Sequence, residues 1–174
     1  MSTVPTAYRT IMDPLIAVAR DIIERGESLV PVAFVGKLTL GLTYPVMMSA
    51  ASEEAKDNSA EMVRHLAEIH EADFVFVIMD AWGLPPDKVH RFQEIIERYG
   101  SIGASPYRVD LVTFSLETRH GLWMAQAEVK PKGASKRRRT FGVPEFRHFT
   151  EVQGRFVHLL PQKEADGPGS GVLH

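Results

Sequence analysis

The chain has 174 residues, a net charge of -2, 44% hydrophobic and 24% charged residues, and no cysteine. A chain of this length and composition is one globular domain that can bury roughly 70% of its unfolded surface without a disulfide or structural metal. Thiol chemistry is excluded, and the charge argues against a dedicated nucleic-acid binder while leaving room for a local basic patch. No apolar run approaches the ~20 residues that cross a bilayer, and the first residues lack a basic-then-apolar leader. The expectation is a cytoplasmic protein with no membrane association.

Residues 1–10 read as a loose lead-in. Asp13 followed by Pro14 reads as a helix start, with Leu15, Val18, Ala19, Ile22 and Ile23 as its apolar stripe and Gly26 as its stop. Two strands follow, 29–35 and 38–48, with prolines at Pro31 and Pro45 that place the hairpin toward one side of a sheet. Ser52-Glu53-Glu54 opens a second helix whose buried face is Met62, Val63, Leu66 and Ile69.

The run from Asp73 to Trp82 is continuously apolar through Met79, so both faces of that strand must be covered and it belongs at the sheet's centre. Pro85-Pro86-Asp87 begins a third helix, with Val89, Phe92, Ile95, Ile96 and Tyr99 on one side and an end at Gly100. Tyr107 to Leu116 and Leu122 to Val129 form a second hairpin around Gly121, which supplies a positive φ. Lys130 to Arg139 is a basic loop. Short strands are expected within 140–143, 147–152 and 154–160. The pattern predicts one α+β domain over 11–161, with a mostly antiparallel sheet of two hairpins and a central strand. The helices pack mainly on one face, and residues 1–10 and 162–174 are flexible termini.

Three groups of residues carry candidate chemistry. Asp110 on one strand of the second hairpin and Glu128-Val129-Lys130 on the other resemble the nuclease family with an Asp…(Asp/Glu)-x-Lys motif. That resemblance implies carboxylates holding Mg²⁺ and a lysine positioning the attacking water. Glu128 and Lys130 share a strand face, because side chains repeat every second residue. No proline-aspartate pair precedes this hairpin, and alternating charge on a solvated strand explains the same residues. The second group is Lys130, Lys132, Lys136, Arg137, Arg138 and Arg139, which can grip phosphates. No aromatic interleaves it, so stacking on single strands has no sequence support. The third group is Asp80-Ala81-Trp82 at the end of the central strand. There the simplest reading is Trp82 packed over the sheet edge and Asp80 bonded to nearby backbone. His65, Glu68 and His70 do not have the spacing of a helical zinc motif. No phosphate-binding glycine loop and no nucleophile elbow occur.

The segments Leu15 to Gly26, Pro31 to Phe34, Met62 to Trp82, Arg108 to Gly121 and Gly154 to Pro161 together resemble a group of uncharacterised small bacterial and phage proteins. In that group the central strand ends in acidic-Ala-Trp, with glutamate more usual where Asp80 stands. The resemblance implies an α+β fold and no known activity. The expected function is therefore binding without catalysis, to another protein or to a second copy as a homodimer, in a phage or mobile-element accessory role. The alternatives are a nuclease using Asp110, Glu128 and Lys130, and a nucleic-acid module using Lys132 to Arg139. No cofactor is expected apart from Mg²⁺ under the nuclease alternative.

Overall fold

The computed structural model describes residues 3–135, 137–150 and 157–161. The first helix, α1, spans Thr6–Glu24, and its buried side chains Tyr8, Met12, Ile16 and Ala19 recur at spacings of three and four. The helix thus begins seven residues before Asp13: residues 6–10 are helical rather than a loose lead-in, and Pro14 lies inside the helix. An interior proline removes one backbone bond and costs about 3 kcal/mol. Burial of Met12 and Tyr8, the latter edge-on to Phe74 at 5.8 Å, offsets that cost. The stop at Gly26 is as expected. Gly26 has φ +79°, and the amides of Gly26 and Glu27 bond back to the Ile23 and Ile22 carbonyls at 3.0 and 3.1 Å, which is a Schellman ending.

Strands β1 (Val32–Lys37) and β2 (Leu42–Met47) form the first hairpin through a 3-10 turn at Leu38–Leu40. The Met48 amide bonds to the Pro31 carbonyl at 2.9 Å, so Pro31 and Met48 oppose each other as a hydrogen-bonded pair. Every second pair after it is hydrogen-bonded too. Phe34 opposite Pro45 falls between two such pairs. The nitrogen of Pro45 therefore faces outward from β2, the sheet's edge, and no ladder bond is lost.

Helix α2 spans Glu53–Ile69, and the Ser52 hydroxyl accepts the Ala55 amide at 3.0 Å. Replacing Ser52 by alanine is expected to lower the unfolding free energy by about 1 kcal/mol in a urea titration, without changing its slope. The buried face of α2 is Ser59, Ala60, Val63 and Ala67, whereas Met62 and Ile69, expected inside, are exposed. Small residues let this helix lie close against Ala33 and Val35 of β1, and the bulkier side chains are left at its flanks.

Strand β3 spans Phe74–Gly83 and is covered on both faces over its first five residues, none of which, from Phe74 to Ile78, is more than 3% exposed. A 3-10 turn at Pro86–Arg91 leads into α3, Phe92–Tyr99, of which only Ile95 is buried; Val89 and Phe92 are exposed. Strands β4 (Val109–Thr118) and β5 (Gly121–Glu128) form the second hairpin, with Gly121 at φ +138°. Strands β6 (Lys130–Pro131) and β7 (Arg139–Thr140) make a separate two-stranded ribbon, so the basic stretch is tied at both ends. Strand β8, Arg147–Phe149, adds to β5. Residues 154–156 of the expected last strand lie outside the described residues, as do 162–174. The following residues 157–161 form no strand. They are held instead by the Glu117 carboxylate, which accepts the Leu159 and Leu160 amides at 2.9 and 2.6 Å.

The class is the expected α+β, with, among the described residues, a six-stranded antiparallel sheet ordered β2-β1-β3-β4-β5-β8. The placement of the helices differs from expectation in one respect. Phe74, Phe76 and Ile78 pack with α1 on one face, while Val75 and Val77 pack with α2 on the other. A strand that is apolar on both sides demands cover on both, and two helices on opposite faces supply it. Among the described residues no helix is long and apolar enough to cross a membrane.

Candidate binding cleft

The end of β3 is the least conventional part of the sheet. This strand pairs with β4 along its full length from Phe74 to Gly83 but with β1 only from Phe74 to Ile78. The pairing stops because β1 itself begins at Val32; the amide that Pro31 lacks would face β2, where its carbonyl accepts the Met48 amide. Beyond Ile78, β3 continues as a stub that has, among the described residues, a strand on one side alone.

Alternation along the sheet decides which groups the stub leaves open. In β1, Pro31 bonds toward β2, and the Asp73 amide bonds to the Gly36 carbonyl at 3.0 Å, so the even-numbered residues of β1 face β3. Their partners are the even-numbered residues of β3. On the far side the Val129 amide bonds to the Asp110 carbonyl at 2.8 Å, which sets the even-numbered residues of β4 toward β5 and the odd-numbered ones toward β3. Both bonds give the same parity. The amides and carbonyls of Asp80 and Trp82 therefore point away from β4, and among the described residues none of the four meets a protein partner.

A cleft of about 690 Å³ wraps this open edge. Ile23 and the segment Gly26–Leu29 wall it on the α1 side together with Asp80, Asp110, Arg137 and Arg139; Ala50, Lys56 and Met79 wall it on the α2 side. The Trp82 ring is 58% exposed at the rim. It lies against the backbone of Gly103, where a Cβ would collide with the indole, and the Arg108 guanidinium sits 5.3 Å from its centre. Trp82 is thus held in place without being covered, contrary to the expectation that it packs over the sheet edge. Asp80, expected to bond to nearby backbone, has no such bond among the described residues.

The residues of the nuclease reading lie close together at this end of the sheet and all border one shallow depression. The register nevertheless separates their carboxylates. Glu128 opposes Leu111, while Asp110 is level with Val129 and shares the face of Val112. Asp110 and Glu128 therefore project from opposite faces. The Asp110 carboxylate is occupied by Arg139 at 2.6 Å, and Arg139 also donates to the Val129 carbonyl at 3.2 Å. Glu128 lies 4.0 Å from Lys130. Among the described residues no three His, Cys, Asp or Glu side chains are grouped to hold a metal ion. His70 is stacked on Tyr44 with ring centres 4.0 Å apart.

The basic residues divide by partner. Lys132 and the Thr140 hydroxyl donate to the Glu24 carboxylate at 3.1 and 3.0 Å, pinning the ribbon to the end of α1. These two bonds, that of Lys132 foremost, hold the Glu24 carboxyl below the usual glutamate range. A depressed carboxyl stabilises the folded state above its unfolded value, and that contribution is lost as pH falls through the lowered folded value. An NMR titration is expected to place the Glu24 midpoint below that of an exposed glutamate, and Lys132→Met to raise it. Arg137 and Arg138 have no carboxylate within 4.0 Å among the described residues. Lys136 lies outside the described residues. The aromatic ring that the basic stretch lacks in sequence is supplied across the cleft by Trp82.

Comparisons with protein-family models, with curated proteins and with solved structures returned no match.

Proposed function

We propose that this protein works by binding another macromolecule rather than by catalysis, and that its contact site is the cleft around the stub of β3. The observation that carries this reading is the unpartnered edge at Asp80 and Trp82, joined to an indole held open to solvent. A sheet edge left bare is costly in aggregation, and proteins that keep one use it for contact. Among the described residues the lining of the same cleft groups no nucleophile, base and oriented carboxylate. Asp110 is engaged by Arg139, and Glu128 faces the other way.

A comparison of captured material tests this reading. The native chain and a Trp82→Asp, Arg137→Glu double variant are each immobilised and exposed to the same cell extract. A macromolecule kept by the native chain and lost by the variant supports the cleft as the contact site. Identical retention by both overturns it. Light scattering of the two chains identifies a second copy as the partner if a dimer mass disappears in the variant.

A further inference from the structure

We propose that the stub of β3 accepts an extended peptide segment of another protein as an added strand. This deepens the binding reading above and rests on it.

Asp80 and Trp82 present amide, carbonyl, amide, carbonyl in a row at the two-residue repeat of a strand. Only another polypeptide backbone offers acceptors and donors in that alternation. A phosphodiester backbone offers acceptors alone, so phosphates lying along this edge would leave both carbonyls unpaired. The cleft also has room on both faces of the missing strand, as a guest with alternating side chains requires. Guest side chains level with Asp80 and Trp82 fall on the α1 face, within reach of the indole and of Arg137, which has no carboxylate partner among the described residues. The side chain between them falls on the α2 face, beside Ala50, Met79 and the stem of Lys56. The guest is therefore an extended segment with an apolar residue facing α2 and an acidic residue facing Arg137.

The experiment begins with a random decapeptide display library panned against the full chain. Enriched peptides are synthesised and titrated into ¹⁵N-labelled protein, alongside a copy of each carrying N-methyl groups at the contacting amides and alongside a ten-residue oligothymidylate. The proposal expects saturable movement of the Asp80 and Trp82 amides, at least tenfold weaker binding of the N-methylated copies, and a similar loss in a Trp82→Pro chain. That proline costs no ladder bond, as Pro45 costs none in β2, but takes the indole with the outward amide, so a Trp82→Ala chain, which keeps the amide, is its control and should bind more tightly than Trp82→Pro. Should Trp82→Pro fail to fold, the N-methylated copies carry the test on the native chain. Equal binding by the N-methylated copies overturns added-strand docking. So does the absence of any peptide that moves the two amides, or movement by the oligothymidylate alone. Failure here together with retention that still depends on Trp82 and Arg137 in the capture comparison overturns the added strand and leaves the binding cleft standing. Identical retention there overturns the cleft itself.

Discussion

Replacing Phe76 by alanine is expected to lower the unfolding free energy by about 3–5 kcal/mol. Phe76 sits at 0% exposure in the first half of β3, its ring 6.5 Å from that of Phe34 and 6.3 Å from that of Phe114. The sheet holds these rings on three adjacent strands, and α1 closes over them. Removing the central ring leaves a hole that neither neighbour can fill without leaving its own strand position. Urea unfolding followed by circular dichroism measures the effect. Met47→Ala is the control, because Met47 is 62% exposed and its loss should fall within about 0.5 kcal/mol of zero. A Phe76 variant as stable as the Met47 variant would contradict the two-faced core.

The second large effect is expected at Gly121. Its φ of +138° lies in a region that residues with a side chain rarely occupy, and a Cβ there would run into the imidazole of His148. Backbone strain of roughly 1–3 kcal/mol and an overpacking cost of roughly 1–3 kcal/mol add, so Gly121→Ala should cost about 3 kcal/mol or more. The two parts are separable. In a His148→Ala background the packing part disappears, so a double-mutant cycle should show a coupling of about 1 kcal/mol or more. Gly26→Ala provides the contrast: φ is +79° and nothing lies within 4 Å of the added carbon, so only the conformational cost of about 1 kcal/mol applies. Thermal unfolding of the four chains ranks the effects.

Much of the architecture was legible because it rests on local chemistry. The apolar run of β3, the serine cap of α2 and the glycine at the end of α1 each act within a few residues of themselves. What escaped was decided by distant partners. Pro14 reads as a first-turn residue until Phe74 is known to receive Tyr8. Met62 and Ile69 read as core until α2 is known to lie so near the sheet that small residues face it. The nuclease reading was within reach of a check. With Thr118 paired to Gly121, counting eight residues outward from each reaches Asp110 and Val129, so Asp110 and Glu128 cannot share a face. The cleft left only a faint signal. A ten-residue strand beside a six-residue one implies an unaccompanied end, but its neighbour becomes known only from the sheet order.

Pro45 carries a consequence at high concentration. Sheets that stack edge to edge grow into fibrils when each newcomer's carbonyls find amides waiting along the outermost strand. At the middle of β2 an approaching copy finds a ring instead of a donor. That margin therefore resists templated growth, because the gap falls between the outward amides of Thr43 and Met47 and breaks the run of donors a fibre would copy.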